Sequence, residues 1–189
     1  SADCLNNKPE VFFEFYKQKM DTRNIEPNIT HKVLAKMEAA GKLKAVVTQN
    51  IDGLHQKAGS RNVYEIHGTT LNYCCDCGRK YPADYIFHKA PVPVCEYCKG
   101  IIRPDVVLYG ESLPDKAVNS AVAAILNADC LIIGGTSLQV YPANTYVSYF
   151  RGKHLVVINK EKLNIQLDES DLFIESTLGA VFAEIDKWI

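Results

Sequence analysis

Apolar residues recur along the chain with two distinct periods. Between residues 9 and 20, Val11, Phe12, Phe15 and Tyr16 fall at helical spacing behind Pro9, a good first helical residue, and Lys17 and Lys19 stand near the end, which predicts a helix. A second helix is predicted from 28 to 40, stopped by Gly41. The apolar run LKAVVT at 43–48 then reads as a short buried strand. Further strands are predicted at 63–66, 106–109, 129–134, 155–159 and 171–174, and helices at 114–128, 142–150 and 179–188. Buried strands without polar alternation, spaced by helices, predict an α/β fold: a parallel sheet with helices on both faces.

The stretch from 69 to 103 differs in texture. It holds both C-x-x-C pairs, and four of the eight prolines lie between Pro82 and Pro104. It is expected to be an inserted small module, leaving 1–68 and 104–189 as the larger domain.

Composition narrows the function classes. The chain has 189 residues, 47% apolar and 23% charged, with a formal charge of −1. This excludes whole-chain disorder and offers no basic footprint for nucleic acid or for an anionic membrane surface. No apolar run approaches the roughly 20 residues that cross a bilayer, and no secretory leader is evident. The expectation is a soluble, unsecreted, cytoplasmic protein. The seven cysteines fit that compartment. An odd number, four of them in two C-x-x-C pairs, suits a metal in a reducing cytosol better than a disulfide framework.

Those pairs are Cys74/Cys77 and Cys95/Cys98, separated by 17 residues. Two such knuckles place four thiolates at the corners of a tetrahedron, the geometry of structural zinc. Gly78 and Lys99-Gly100 supply turn chemistry beside each pair. Cys4, Cys75 and Cys130 are expected to be ordinary thiols.

Polar residues gather where strands end. Gln49, Asn50 and Asp52 follow a predicted buried strand, the edge at which open α/β sheets place ligand crevices. Their amides and carboxylate suit a sugar; equally, the segment reads as a loop in which Asp52 caps a short helix. His67 also ends a strand and precedes a glycine, and such a histidine is either structural or catalytic. Gly134-Gly135-Thr136-Ser137 after DCLII would let a ligand approach the backbone, a weak signal taken alone. Asn159 ends the LVVIN strand and is either a turn former or a contact in the same crevice.

Together these segments resemble the sirtuin family of NAD-dependent protein deacylases: TQNIDGLHQKAG at 48–59, HG at 67–68, the cysteine quartet, RPDVVLYGESLP at 103–114, GGTSLQVYPA at 134–143 and IN at 158–159, in family order over nearly the whole chain. The resemblance implies a Rossmann-like NAD domain with a zinc-ribbon module, and acyl-lysine protein or peptide as substrate. It implies that Gln49, Asn50, Ile51 and Asp52 face the nicotinamide ribose and pocket, and that His67 is the general base, with Asn50 and Asp52 in the catalytic set. Gly135, Thr136 and Ser137 would hold the phosphate and ribose region, Asn159 and Lys160 would lie beside the adenosine half, and Leu178 would be a further cofactor contact. Val107, Tyr109 and Gly110 would pair with the substrate peptide. Where the family more often has phenylalanine, Tyr109 keeps the aromatic wall and adds a hydroxyl. The implied reaction moves the acyl group to ADP-ribose, releasing nicotinamide and free lysine.

A sirtuin normally opens with a strand, a G-A-G-x-S turn and a cofactor loop with a D-F-R element, and none of these occurs in the sequence. The expectation is that the parent protein is an active deacylase and that this polypeptide alone is not. The rival reading is a zinc-stabilised module that only binds acylated peptide. A nucleic-acid zinc ribbon lacks the basic stripe it would need. Acyl preference and oligomeric state are not legible.

Overall fold

The computed structural model describes residues 1–89, 91–136, 143–163 and 165–189. The chain divides into two interleaved compact units. The first comprises Ser1–Glu26, Thr48–Leu54 and Glu65–Ala117, and the second Pro27–Val47, His55–Tyr64 and Val118–Ile189.

The first unit begins with α1 (Ala2–Asn7), capped by the Ser1 hydroxyl, and α2 (Pro9–Lys19). Sequence periodicity pointed to α2 but not to α1, whose six residues are too few to display a period. An antiparallel sheet follows, in the order β4-β3-β5, from β3 (Gly68–Cys74), β4 (Lys80–Pro82) and β5 (Arg103–Val106). Helix α5 (Ala83–His88) follows β4. Phe12, Phe13 and Tyr16 of α2 pack with Tyr73, Ile86, Cys95 and Ile102 into one core. Phe12 and Phe13 meet edge to face, and the hydroxyls of Tyr16 and Tyr73 are 3.2 Å apart inside that core.

The strand expected at 106–109 lies instead at Arg103–Val106. Pro104 argues against a central strand because it lacks an N–H, but β5 is an edge strand and tolerates it. Beyond Val106 the chain turns: Glu111 donates its N–H to the Leu108 carbonyl at 3.0 Å, around Gly110 at φ 96°.

The second unit holds α3 (Ile29–Ala39), whose start carries a reciprocal cap between Asn28 and His31. Its end is closed by bonds from Gly41 to Glu38 and from Lys42 to Met37, with Gly41 at φ 72°, the left-handed residue such a stop requires. Leu43 also bonds back to Met37, so the following strand, β1 (Val46–Thr48), is shorter than the apolar run suggested. It pairs with β2 (Val63–Glu65). Between them lies the short helix α4 (Leu54–Lys57). Helix α6 (Asp115–Leu126) runs from the first unit into the second.

The parallel sheet is ordered β6-β7-β8, from β6 (Cys130–Gly134), β7 (His154–Asn159) and β8 (Leu172–Glu175). Both faces are covered, as the unbroken apolar strands predict. Ile158 lies in a cluster with Val33 of α3 and Phe182 of α8 (Leu178–Ile185), and Val157 packs with Ile133, Leu155, Val147 of α7 (Ala143–Val147) and Leu163. No helix among the described residues is long and apolar enough to cross a membrane.

Candidate functional site

In the first unit the polar segment after β1 is threaded through a series of hydrogen bonds. Thr48 accepts from Ile66 N–H through its carbonyl at 3.1 Å, and its hydroxyl accepts from Asn50 N–H at 3.0 Å. The Ile51 carbonyl accepts both the N–H and the hydroxyl of Thr70, at 2.8 and 2.9 Å. Gly53, at φ 68°, lies against Leu71, where a Cβ would come within 2.6 Å of that side chain. The Asp52 carboxylate accepts from the N–H of Leu54, the first residue of α4, at 3.0 Å, a side-chain turn one residue ahead of the N-cap position that Gly53 occupies.

His67 is anchored on both sides. Its Nδ1 lies 3.1 Å from the Gln49 carbonyl oxygen, and its own carbonyl accepts from Val107 N–H at 2.9 Å. Because a carbonyl only accepts, Nδ1 is the donor in this contact, an arrangement that in the neutral ring puts the lone pair on Nε2. Gln49, Asn50, Ile51, Asp52, His67 and Val107 are thus linked within one unit. Tyr109 is 90% exposed, and its carbonyl accepts from Ala2 N–H at 3.2 Å. Gly110 is the positive-φ residue of the adjoining turn.

In the second unit the expected residues gather at the carboxyl ends of parallel strands. Gly134 pairs in register with Ile158, which brings Gly135 and Asn159 to the same sheet end, where ligands of open α/β sheets bind. Gly135 has φ 65°, and a Cβ on Gly134 would collide with Leu178, so the glycines admit Leu178 at close range. Asn159 donates its side-chain amide to the Glu161 carbonyl at 2.8 Å, and Lys160 follows it on the surface. Thr136 is half-buried beyond β6. Ser137 lies outside the described residues. The positive-φ glycine lies at the strand end where open α/β sheets bind dinucleotides, although Leu178 fills the space against the glycines and the Asn159 amide is bonded to Glu161.

The cysteine site differs from expectation in one donor. The thiols that cluster, all within 4.8 Å of one another, are those of Cys75, Cys77, Cys95 and Cys98, and Cys74 is not among them. The period of β3 explains the exchange. Tyr73 is fully buried, so Cys75, two residues on, faces the same core while Cys74 faces the opposite side beside Asp105 and Arg103. Cys75 N–H then bonds to the Arg79 carbonyl at 2.9 Å and closes a tight hairpin. The second knuckle keeps the wider spacing, with Cys95 N–H on the Gly100 carbonyl at 2.8 Å and Lys99, at φ 62°, returning to Cys95. The Tyr81 hydroxyl donates to Cys95 Sγ at 3.0 Å and, with backbone N–H groups of the knuckle, pulls that thiol down to about 6, favouring the thiolate a metal needs. Four sulfur donors at this separation, with no position left open, fit structural zinc.

Residues without an assigned role in the sequence also shape the site. Thr48 and Thr70 pin the polar segment, and Arg103 and Glu111 form a bidentate ion pair at 2.7 and 2.8 Å. The legible signal was a pair of opposite charges framing an apolar run; the partner choice was not legible.

The Sir2 family model matches residues 1–142. A protein from Clostridium acetobutylicum described as an NAD-dependent protein deacetylase is 50% identical over 187 residues, covering 98% of this chain and 76% of that relative. One of the same description from Clostridium perfringens is 52% identical with the same coverage. A solved structure of Sir2 with a p53 peptide and NAD+ superposes at a TM-score of 0.87 with 35% identity, covering all of this chain and 81% of the other. A structure of Sir2Tm bound to a propionylated peptide gives 0.87, 35%, 100% and 82%. A family model matching three quarters of the chain, relatives at about half identity and superposable solved structures place the chain in the Sir2 family, the sirtuin NAD-dependent protein deacetylases.

Proposed function

We propose that this protein removes acyl groups, acetyl above all, from lysine side chains of proteins, with His67 as the general base. The observation that carries this reading is the two-sided anchoring of His67, by Gln49 through Nδ1 and by Val107 through its carbonyl. It leaves Nε2 as an acceptor of fixed orientation, which is what proton abstraction near neutral pH requires. When bound, NAD supplies the ribose that accepts the acyl group and loses nicotinamide. Asn50 and Asp52, held on the same threaded segment, orient hydroxyls by hydrogen bonding, and Gln49 lines the pocket beside them. Gly135, Thr136 and Ser137 serve the phosphate region, and Asn159, Lys160 and Leu178 the adenosine half. Val107, Tyr109 and Gly110 bind the main chain flanking the acyl-lysine. The zinc cluster holds the small module together, with Cys75 supplying the donor that the C-x-x-C spacing would assign to Cys74.

We place the activity in the cytoplasm, where free thiols such as Cys4 and Cys130 and a thiolate metal site persist. Neither nucleic acid nor membrane is a partner in this reading. The test is to incubate the protein with NAD and an acetyl-lysine peptide and follow deacetylated peptide and nicotinamide together. Equal release of both supports the reading and overturns the expectation that this polypeptide alone is inactive. The rival, a module that binds acylated peptide without turning it over, predicts binding with no nicotinamide release and no effect of His67→Ala.

A further inference from the structure

The segment from Arg103 to Glu111 is closed on itself by one carboxylate. Glu111 accepts from Nη1 and Nη2 of Arg103 at 2.7 and 2.8 Å, and its Oε2 also accepts from Leu108 N–H at 2.9 Å. Arg103 Nη2 reaches the Val106 carbonyl as well, at 3.3 Å. Between these fixed points lie Val107, whose N–H is taken by His67, and the turn carrying Tyr109 and Gly110. Among the described residues no hydrogen bond is formed by the Val107 carbonyl or the Tyr109 N–H, while groups on either side of them are committed. An open cavity of about 540 Å³, walled by Arg103, Val107 and Glu111, borders the same segment, and Leu108 packs against the core. Hydrogen bonds fix the backbone on either side of that anchor.

We propose that Arg103 and Glu111 form a positioning clamp for the peptide-binding segment: Glu111, through Leu108 N–H, sets the orientation in which the Val107 carbonyl and Tyr109 N–H meet the main chain of the substrate. This inference rests on the reading of Val107 to Gly110 as the peptide site. Two features favour it over a general stabilising role. The carboxylate spends one acceptor on a backbone N–H inside the segment itself, and the ion pair is only partly shielded, with side-chain exposures of 29% and 25%, so its effect is local. The carboxylate bonds the turn at Leu108, and Tyr109 beyond it is left exposed to a ligand.

The experiment compares two ligands, an acetyl-lysine peptide measured by calorimetry and free Nε-acetyl-lysine, which lacks flanking main chain, titrated by NMR. Glu111→Ala is expected to weaken peptide binding roughly tenfold, the cost of losing hydrogen bonds to a charged group, while leaving free Nε-acetyl-lysine within about twofold. Glu111→Gln, which keeps an acceptor for Leu108 N–H and removes the ion pair, is expected to show the same selectivity with a smaller loss, and it serves if the alanine variant does not fold. Tyr109→Pro, which removes the N–H assigned to the peptide, reports on the peptide site itself. If Tyr109→Pro weakens peptide binding and the Glu111 variants do not, the clamp is refuted and the peptide site stands. If neither affects the peptide, the assignment of the segment falls, and the clamp with it. An equal loss for both ligands also overturns the proposal, because it indicates a structural effect without main-chain selectivity.

Discussion

The Nδ1 atom of His67 lies 3.1 Å from the backbone carbonyl oxygen of Gln49. This contact makes Nδ1 the donor, and in the proposed mechanism Nε2 is the base. Substituting His67→Ala is expected to lower deacetylation by about 10²- to 10⁴-fold, the usual contribution of general-base catalysis. Peptide affinity, measured separately, should stay within about twofold. An undiminished rate would remove His67 from the mechanism.

The thiol cluster yields a second prediction, one that decides between spacing and geometry. The protein should carry about one zinc per chain. Cys75→Ser is expected to lose most of it, and Cys74→Ser to retain it, by atomic absorption on freshly purified protein. The reverse result would restore Cys74 as the donor. Chelation should disrupt the core around Tyr73 and Cys95, since Cys75 and Cys95 belong to it, and near-ultraviolet circular dichroism would register the change.

Gly68 follows the histidine and opens β3. It has φ 76°, and a Cβ there would collide with the Asp105 carbonyl oxygen and stand 2.9 Å from Val106 Cα. Both objections concern backbone, which side-chain repacking does not relieve. Gly68→Ala is therefore expected to cost roughly 2 to 4 kcal/mol, visible as a lower thermal midpoint. A variant as stable as the parent would show that the β3–β5 contact yields easily.

Acid should loosen the Arg103–Glu111 pair. Hydrogen bonds from Arg103, joined by Leu108 N–H and by the guanidinium charge, hold the Glu111 carboxyl below the usual range against the opposing effect of its partial burial. A depressed folded-state value means the contribution is complete above the unfolded value of about 4.3 and is lost as pH falls through the folded one. The stability difference between the parent and Glu111→Gln, about 1 kcal/mol near neutrality, should shrink below that pH in chemical denaturation. A difference that is constant with pH would mean the ion pair contributes nothing.

The hydroxyls of Tyr16 and Tyr73 form a buried pair. Tyr16→Phe strands one of them and is expected to cost about 1 to 2 kcal/mol, whereas Tyr16→Phe combined with Tyr73→Phe should cost less than the two single changes summed. Strict additivity in urea unfolding would show that the hydroxyls do not depend on each other.

Long elements with repeated apolar spacing were legible in the chain itself. Helices α2, α3 and α6 and the unbroken strands β6 and β7 appear where their periods place them, because each buries a face wide enough to impose a pattern. Short elements were not. Helix α1 is held by a serine cap and a few contacts, and β5 runs through a proline that reads as a break. At the site, the residue types Gln49, Asn50, Asp52 and His67 stood out because polar groups at strand ends have few structural excuses. The choice of Cys75 did not, because spacing alone carries no information about which side of a strand a thiol faces. The role of Glu111 was hidden for a related reason: an ion pair is defined by its partner, and the partner lies eight residues away around a turn.

The interleaving of the two units constrains how this protein can be taken apart. The polypeptide passes from one to the other at 26/27, 47/48, 54/55, 64/65 and 117/118. No single cut therefore liberates either unit whole, and a deletion library scanned from one end would lose both before isolating one. Modular exchange by simple gene fusion is closed to this architecture. Any transplant of the cysteine-bearing unit into another protein would have to carry three separate stretches of chain and rejoin them in order.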